Sequence, residues 1–333
     1  MSGPVRVLIQ ESPGPVRVGG ADGRSTLLAP AGSGLRAGGR PVGPVYRVPG
    51  ARPLRAADLR VRGALEVRRS GRGLAIVNEL PLEDYVAGTL GREAYRRWHP
   101  EALKAQAVVT RTYALHERAR HAREAWHLRG DTGGQVYGGL DAESPEILGA
   151  TRATRGEYLS FGGVPILAVF HSAAGGRTAS AEEVWGRPIP YLVSLAVAHE
   201  DESPDAYWRA AFSGTTLGRA LAPVGVRVGT VREVSVAERS ASGRAARVRI
   251  RGDAGEAELP ARELRRVLGE KVIRSTLFDV HGGSEGFVFV GSGHGHGVGM
   301  SQWGAQAMAV RGASYREILA AFYPGTGLRR SAR

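Results

Sequence analysis

The sequence predicts an α+β protein: a mixed helical and β body, a small inserted α+β domain and an N-terminal β module. Three observations carry this expectation. Short stretches of period two, separated by glycine and proline turns, fill residues 1–70. Two apolar repeats of helical spacing begin near residue 80, and a second strand-rich stretch over 206–280 interrupts the helical pattern. The 333 residues suit about two domains at about 150 residues each. A balance of 42% hydrophobic and 23% charged residues is that of a folded chain.

In the module over 1–70, Val5-Arg-Val7, Val16-Arg-Val18 and Leu59-Arg-Val-Arg62 alternate apolar and charged residues, as half-buried strands do. Pro13-Gly14, Gly19-Gly20 and Gly38-Gly39-Arg-Pro41 punctuate them, and no catalytic constellation falls there. The body takes in 71–205 and 281–333. Its first helix opens at Leu80-Pro-Leu-Glu-Asp-Tyr-Val86, with a proline fit for the first turn and acids fit for the positive helix end. Leu82, Val86 and Leu90 then recur at helical spacing. A second helix starts near Pro100 with a mostly small stripe, Leu103, Ala107, Thr110 and Ala114, and Gln106 and Arg111 lie on or beside it. An unpaired buried guanidinium is very costly, so Arg111 either pairs with a carboxylate or lines a cleft that supplies an anion. In the insertion, Val231 to Ala237 and Ala246 to Ile250 flank Arg239-Ser-Ala-Ser-Gly-Arg244 as a hairpin-like pair. Glu256 to Leu259 adds a strand and Ala261 to Leu268 a helix. Helices over Gln302 to Val310 and Tyr315 to Phe322 follow a glycine-rich segment.

Composition excludes several functions. Lys+Arg is 45 against Asp+Glu 32, a net charge of +13, and Lys104 and Lys271 are the sole lysines. A basic balance suits anionic partners. The arginines are nevertheless scattered, apart from Arg118-Ala-Arg-His-Ala-Arg123, and no nucleic-acid module is present, so nucleic acid is not an expected partner. The absence of cysteine excludes disulfides, thiolate nucleophiles and Cys-based zinc or iron–sulfur sites. No run approaches 18 apolar residues, so no transmembrane helix is expected. The opening MSGPVRVLIQESPG has no signal-peptide core, so the protein stays inside or this chain lacks its export segment.

Four polar stretches can carry chemistry. In Gly91-Arg-Glu-Ala-Tyr-Arg-Arg-Trp-His-Pro100, Glu93 lies at the end of the first helix, flanked by Tyr95 and Trp98. Aromatic surface can raise a carboxyl pKa as a general acid needs, whereas a solvated helix-end acid stays ordinary. In Asp131-Thr-Gly-Gly-Gln-Val-Tyr-Gly138, the single Asp-Thr-Gly lacks the second aspartate of an aspartic protease. Gln135 and Tyr137 face one way on an extended segment and can line a groove. Phe170-His-Ser-Ala-Ala-Gly-Gly-Arg-Thr178 puts His171 and Ser172 at the end of a buried run, yet no Gly-x-Ser-x-Gly elbow exposes a serine. His171 can equally be a satisfied structural histidine. In Gly291-Ser-Gly-His-Gly-His-Gly-Val-Gly-Met-Ser-Gln302, His294 and His296 could meet one metal only with a third ligand such as His171. The other reading is a ligand loop whose glycines admit backbone N–H groups, with Ser301 and Gln302 opening a helix.

Taken in order, these stretches resemble the SpoIID/LytB family of bacterial cell-wall proteins. The resemblance rests on Leu80-Pro-Leu-Glu-Asp-Tyr-Val, Glu93, Glu101-Ala-Leu-Lys-Ala-Gln-Ala-Val-Val-Thr-Arg-Thr-Tyr-Ala, Gln135-Val-Tyr137, Phe170-His-Ser, Val184-Trp-Gly and His296-Gly-Val-Gly-Met-Ser-Gln. It covers about residues 75 to 325 and extends to the insertion through Ser242-Gly-Arg and Leu264 to Phe278. It implies an enzyme with a cleft for peptidoglycan glycan strands. SpoIID-type members are lytic transglycosylases whose catalytic glutamate maps onto Glu93, although Ala94-Tyr95 replaces the family's usual Met-Pro. Arg111, Gln135, Tyr137, His171, Ser172, His296, Ser301 and Gln302 would contact or position the sugars. The cysteine-using zinc site of some relatives is not inherited intact, and no cofactor or metal is expected. The resemblance further implies work outside the cytoplasmic membrane. LytB-type members are described as enhancers of a cell-wall amidase, which keeps a non-catalytic wall-binding reading and an amidase partner open. A Ser-His hydrolase is a third reading.

Overall fold

The computed structural model describes residues 3–20, 24–131, 134–283 and 286–331. Thr132 and Gly133 of the Asp-Thr-Gly stretch lie outside them, as do the first two residues of the N-terminal segment. The chain divides into two compact units, one of residues 1–168 and 327–333, the other of 169–326. Both mix helices and strands, and the fold is α+β.

The first unit opens with ten strands: β1 (Val5–Ser12), β2 (Val16–Gly20), β3 (Ser25–Ala31), β4 (Gly34–Ala37), β5 (Arg40–Val42), β6 (Val45–Val48), β7 (Leu54–Ala56), β8 (Leu59–Val61), β9 (Ala64–Ser70) and β10 (Gly73–Leu80). Six of them form a sheet in the order β5-β4-β3-β2-β7-β8. The alternation read from the sequence sets the inward face, since Val5, Val7, Val16 and Val18 are all buried. β1 lies antiparallel to β10, with Val5 opposite Leu80, and β10 pairs in turn with β9. The expected boundary at residue 70 therefore falls inside a hairpin. The core of Val5, Val18, Leu65 and Ile76 continues into Tyr85 and Ala114 of the helices that follow, because both faces of these short sheets need apolar cover.

Helix α1 (Leu82–Glu93) starts after Pro81 with Glu83 and Asp84 in its first turn. Helix α2 (Pro100–Arg120) has proline at its start, and the His99 ring accepts from the Glu101 amide. Val86 and Leu90 of α1 pack on Leu103 and Ala107 of α2 and on Ile147 and Ala150. The short strand β11 (Leu128–Arg129) runs parallel to β1. Helix α3 (Pro145–Ala153), capped by Ser144, supplies Ile147 and Ala150. Strand β12 (Glu157–Phe161) lies between β13 (Val164–Pro165) and the C-terminal strand Gly327–Arg330.

The second unit starts with β14 (Phe170–His171) and the single turn α4 (Ala181–Trp185). There follow β15 (Trp208–Phe212), α5 (Gly214–Leu221), β16 (Val231–Arg239), β17 (Ala245–Gly252), β18 (Gly255–Pro260) and α6 (Ala261–Leu268). β19 (Phe278–Gly283) and β20 (Gly286–Gly291) complete a sheet in the order β15-β20-β19, beside the meander β16-β17-β18. One core joins Trp208, Leu217, Val248, Leu264 and Phe278 with Phe287 and Phe289, so it runs past residue 280. The strand β21 (Met300–Ser301) pairs parallel with β14. Helix α7 (Gln302–Val310) is capped by Ser301, and α8 (Tyr315–Phe322) by a Ser314–Glu317 capping box.

Candidate functional site

In the first unit, Tyr85, Thr89 and Glu93 stand four residues apart on one face of α1. The segment 135–137 runs against that face. The Tyr85 hydroxyl donates to Gln135 Oε1 (2.9 Å), the Tyr137 ring stacks on Tyr85 (5.7 Å, 17°), and the Val136 amide donates to Glu93 Oε1 at 2.6 Å. Tyr137 in turn donates to Asn78 Oδ1 (2.9 Å). Burial pushes the Glu93 carboxyl up to about 7, with the Val136 amide pulling the other way. Glu93 is thus a carboxylic acid that still holds its proton near neutrality, with a polar backbone donor to receive the anion. After it, Ala94 is extended, Tyr95 is exposed, and Trp98 touches Tyr95 (5.4 Å) while packing on the Val86–Leu90–Leu103 cluster.

Gln135 and Tyr137 do point the same way, but inward rather than into an open groove. Gln135 is 1% and Tyr137 4% exposed, because the Tyr85–Tyr137 stack and the Asn78 bond fix them. Tyr137 is therefore a supporting wall. Gln135 keeps chemical potential: its Nε2, like Thr89 Oγ1, is buried with no hydrogen-bond partner among the described residues.

Arg111 corrects the expectation of a substrate contact. It is fully buried. Its Nε and terminal nitrogen grip both oxygens of Glu83 (2.9 and 2.7 Å), and the other terminal nitrogen donates to the Glu157 carbonyl (3.1 Å). Glu83 also accepts from the Gly156 amide (3.1 Å). The pair ties α1 to α2 and to the start of β12, which is the structural alternative that the sequence left open.

In the second unit, the parallel pairing of β14 with β21 sets His171 opposite Ser301. His171 Nδ1 donates to the Val298 carbonyl (3.1 Å), so Nε2 carries the lone pair, buried and without a partner among the described residues. Burial holds His171 well below its ordinary value. The His296 ring lies 5.7 Å from His171 and 5.8 Å from the Trp185 ring, and its Nδ1 accepts from the Val298 amide (3.0 Å). Burial, with Arg265 and Arg244 nearby, draws His296 down to about 4, so both rings are neutral at pH 7.

His294 turns elsewhere, to Asp205 Oδ2 (2.9 Å), and Ser172 Oγ donates to the same oxygen at 3.5 Å. The serine thus meets a carboxylate where a hydrolase needs an imidazole. Among the described residues no group of three or more His, Asp or Glu side chains is placed to hold a metal ion.

Ser301 also departs from expectation. Wholly buried, it caps α7 through the Gly304 amide and donates to Glu200, so it serves the fold and not a ligand. Gln302 is buried as the first residue of α7. In the glycine loop foreseen as a ligand site, the amides of Gly293, His294 and Gly295 go to the carbonyls of Asp205, Ala173 and Arg274 (2.8, 2.8 and 2.9 Å), and a second set of amides is also taken. Ala174, Gly175 and Gly176 give theirs to the Glu200 carboxylate (2.9, 2.8 and 3.2 Å). Sequence reasoning missed Glu200, Asp205 and Arg244. The first two sit in an acid-rich loop that reads as solvated, and their partners lie far along the chain.

A family model described as stage II sporulation protein matches residues 70–161, and a domain of unknown function matches 193–299. An uncharacterized protein of Brachyspira hyodysenteriae is 34% identical over 258 residues, 77% of this chain and 68% of that one. Stage II sporulation protein D of Bacillus amyloliquefaciens is 30% identical over 76% of this chain and 75% of its own. The chain belongs to the SpoIID/LytB family. The amidase enhancer of Bacillus subtilis is 29% identical over 72% of this chain, which spans 40% of that longer protein. The SpoIID match covers α1, α2 and the 135–137 segment, so the Glu93 cluster lies wholly inside the part that names the family.

Proposed function

We propose that the chain is a peptidoglycan lytic transglycosylase that works in the cell envelope, outside the cytoplasmic membrane. It cleaves the bond between N-acetylmuramic acid and N-acetylglucosamine and leaves 1,6-anhydro ends. The observation that carries this reading is the Glu93 carboxyl, half-buried, raised to about 7 and bonded to the Val136 amide. Paired-carboxylate hydrolases hold a second acid at about 5–9.5 Å to act on water or the sugar. A transglycosylase needs no such group. Glu93 protonates the glycosidic oxygen as the bond to C1 breaks. The resulting carboxylate removes the proton of the C6 hydroxyl, O6 closes on C1, and the acid is regenerated without water.

Around that step, Gln135 is proposed to act indirectly: by accepting from Tyr85 it holds the 135–137 segment against α1 and so keeps the Val136 amide on Glu93. In the second unit, the half-buried Ser172 and His296 are proposed as further sugar contacts, with Ser301 bonding the Ser172 carbonyl and the His171 ring beside that of His296.

Glu93→Gln keeps the shape and one acceptor but delivers no proton. Release of 1,6-anhydro muropeptides from denuded strands should fall by about 10²–10⁴-fold, with sacculus binding retained. Near-wild-type cleavage removes Glu93 from the mechanism, and reducing-end products point to a hydrolase. The similarity to an amidase enhancer favours a second reading, a wall-bound amidase partner without chemistry of its own. That reading takes over if muropeptides appear only when an amidase is added. A purely cytosolic pool on fractionation would overturn the envelope placement.

A further inference from the structure

The second unit holds a cavity of about 220 Å³, bordered by His296, that the proton transfer at Glu93 does not use. Arg262 and Arg265, three apart on α6, line it together with Arg244, Glu183, Thr276 and His296. Three guanidiniums thus meet one carboxylate, and that carboxylate is already committed, since Glu183 accepts from both the amide and the hydroxyl of Ser242. Arg244 is 3% exposed. It donates to the carbonyls of Arg177 (2.8 Å) and Ala174 (2.7 Å), while its Nε is buried with no partner among the described residues. Gly297 lies flat over this guanidinium at φ +83, where a Cβ would come within 2.7 Å of it. Arg262 gives one nitrogen to the Val184 carbonyl, and Arg265 bonds the Ile273 carbonyl and Glu270. The buried Arg244 wants an anion, with the half-buried Arg265 and the exposed Arg262 at the rim, and burial has already drawn Arg244 down to about 10 and lowered Arg265.

We propose that this cavity binds the carboxylate of a sugar acid, with the ring of the sugar resting toward Trp185. The planar guanidinium fork matches a carboxylate. A phosphate would bring a second negative charge against Glu183. Trp185 is 38% exposed with its ring 5.8 Å from that of His296, so an apolar face borders the cationic wall. The preference for an anion stands on the cavity alone. The choice of a wall sugar acid rests on the function proposed above.

The test titrates the full chain with N-acetylmuramic acid, with N-acetylglucosamine, which lacks the lactyl carboxylate, and with inorganic phosphate, following amide shifts by NMR. N-acetylmuramic acid should bind at least about ten times more tightly than N-acetylglucosamine, as expected for a hydrogen-bonded charge. Phosphate should displace it only at higher concentration. Arg262→Glu changes an exposed side chain, so the melting temperature should hold while affinity for N-acetylmuramic acid falls about ten- to a hundredfold. Equal binding of the two sugars, displacement by phosphate at equal or lower concentration, or unchanged affinity in the folded variant overturns the proposal. Assaying strand cleavage on the same preparation separates the two readings. Anhydro products without N-acetylmuramic acid binding sink the cavity, whereas binding without products sinks the transglycosylase.

Discussion

At Glu93, burial disfavours the carboxylate more than the single Val136 amide favours it, so the group titrates about 7 instead of the ordinary 4.5. The acid form is the one that cleaves, so kcat/KM should drop about tenfold per pH unit above about pH 7. Initial rates on denuded strands check this, and a flat profile to about pH 8.5 would contradict it. The same shift has a cost in stability. Between 4.5 and about 7 the folded chain holds a proton that the unfolded chain has released, so folding weakens as pH rises through that window. Glutamine mimics the protonated acid. Glu93→Gln should therefore be more stable than the parent by roughly 1–3 kcal/mol at about pH 8. The gap should close about one pH unit below 4.5, where the parent keeps its proton in both states. Urea melts at the two pH values read the difference. A variant that loses activity while gaining stability is the signature of a site held against its own solvation.

Between elements, the Arg111–Glu83 pair joins α1, α2 and β12 through bonds that are all internal. Removing Arg111 leaves the half-buried Glu83 without its counter-ion, so Arg111→Met should destabilise the chain by roughly 1–3 kcal/mol. Denaturant unfolding measures it, and unchanged stability with lost sugar binding would restore the arginine to the substrate. Nothing in one sequence separates these cases, since Glu83 lies 28 residues away and reads only as a helix-start acid. Other elements were plain. Helices α6, α7 and α8 run between the residues expected, because Leu264 and Leu268 give a buried period and serines cap the last two. Helices α3 and α5 were not foreseen. Glycines at 149, 214 and 218 weaken their helical signal, and the burial of Ile147, Leu217 and Leu221 against distant strands and helices makes them. The site divides the same way. Glu93 was legible from its place in an ordered set of motifs, whereas Glu200 acts on amides 24 to 26 residues earlier and leaves no local pattern. The inward turn of Gln135 and Tyr137 likewise follows from Tyr85 and Asn78, partners that spacing does not reveal.

Across the whole molecule, many arginines are neutralised locally by paired acids. On the exposed meander, Arg247, Arg249 and Arg251 face Glu258, Glu256 and Glu233 across neighbouring strands, and Arg60 and Arg62 pair with Asp141 and Glu143. What remains is a net charge of +13 spread over the chain, which acts at long range and not through any one contact. Such attraction is screened as the Debye length shrinks from about 10 Å at 0.1 M salt to about 3 Å at 1 M. Retention on anionic wall sacculi should accordingly be strong at low salt and decline steadily as salt rises. The proton transfer at Glu93 is local and half-buried, so turnover of short denuded strands at saturating concentration should change far less over the same range. Co-sedimentation with sacculi and a turnover assay, run at matched salt steps, compare the two. If both fall together, charge acts in the catalytic step itself. If retention ignores salt, the arginines reflect composition and wall binding rests on short-range contacts instead.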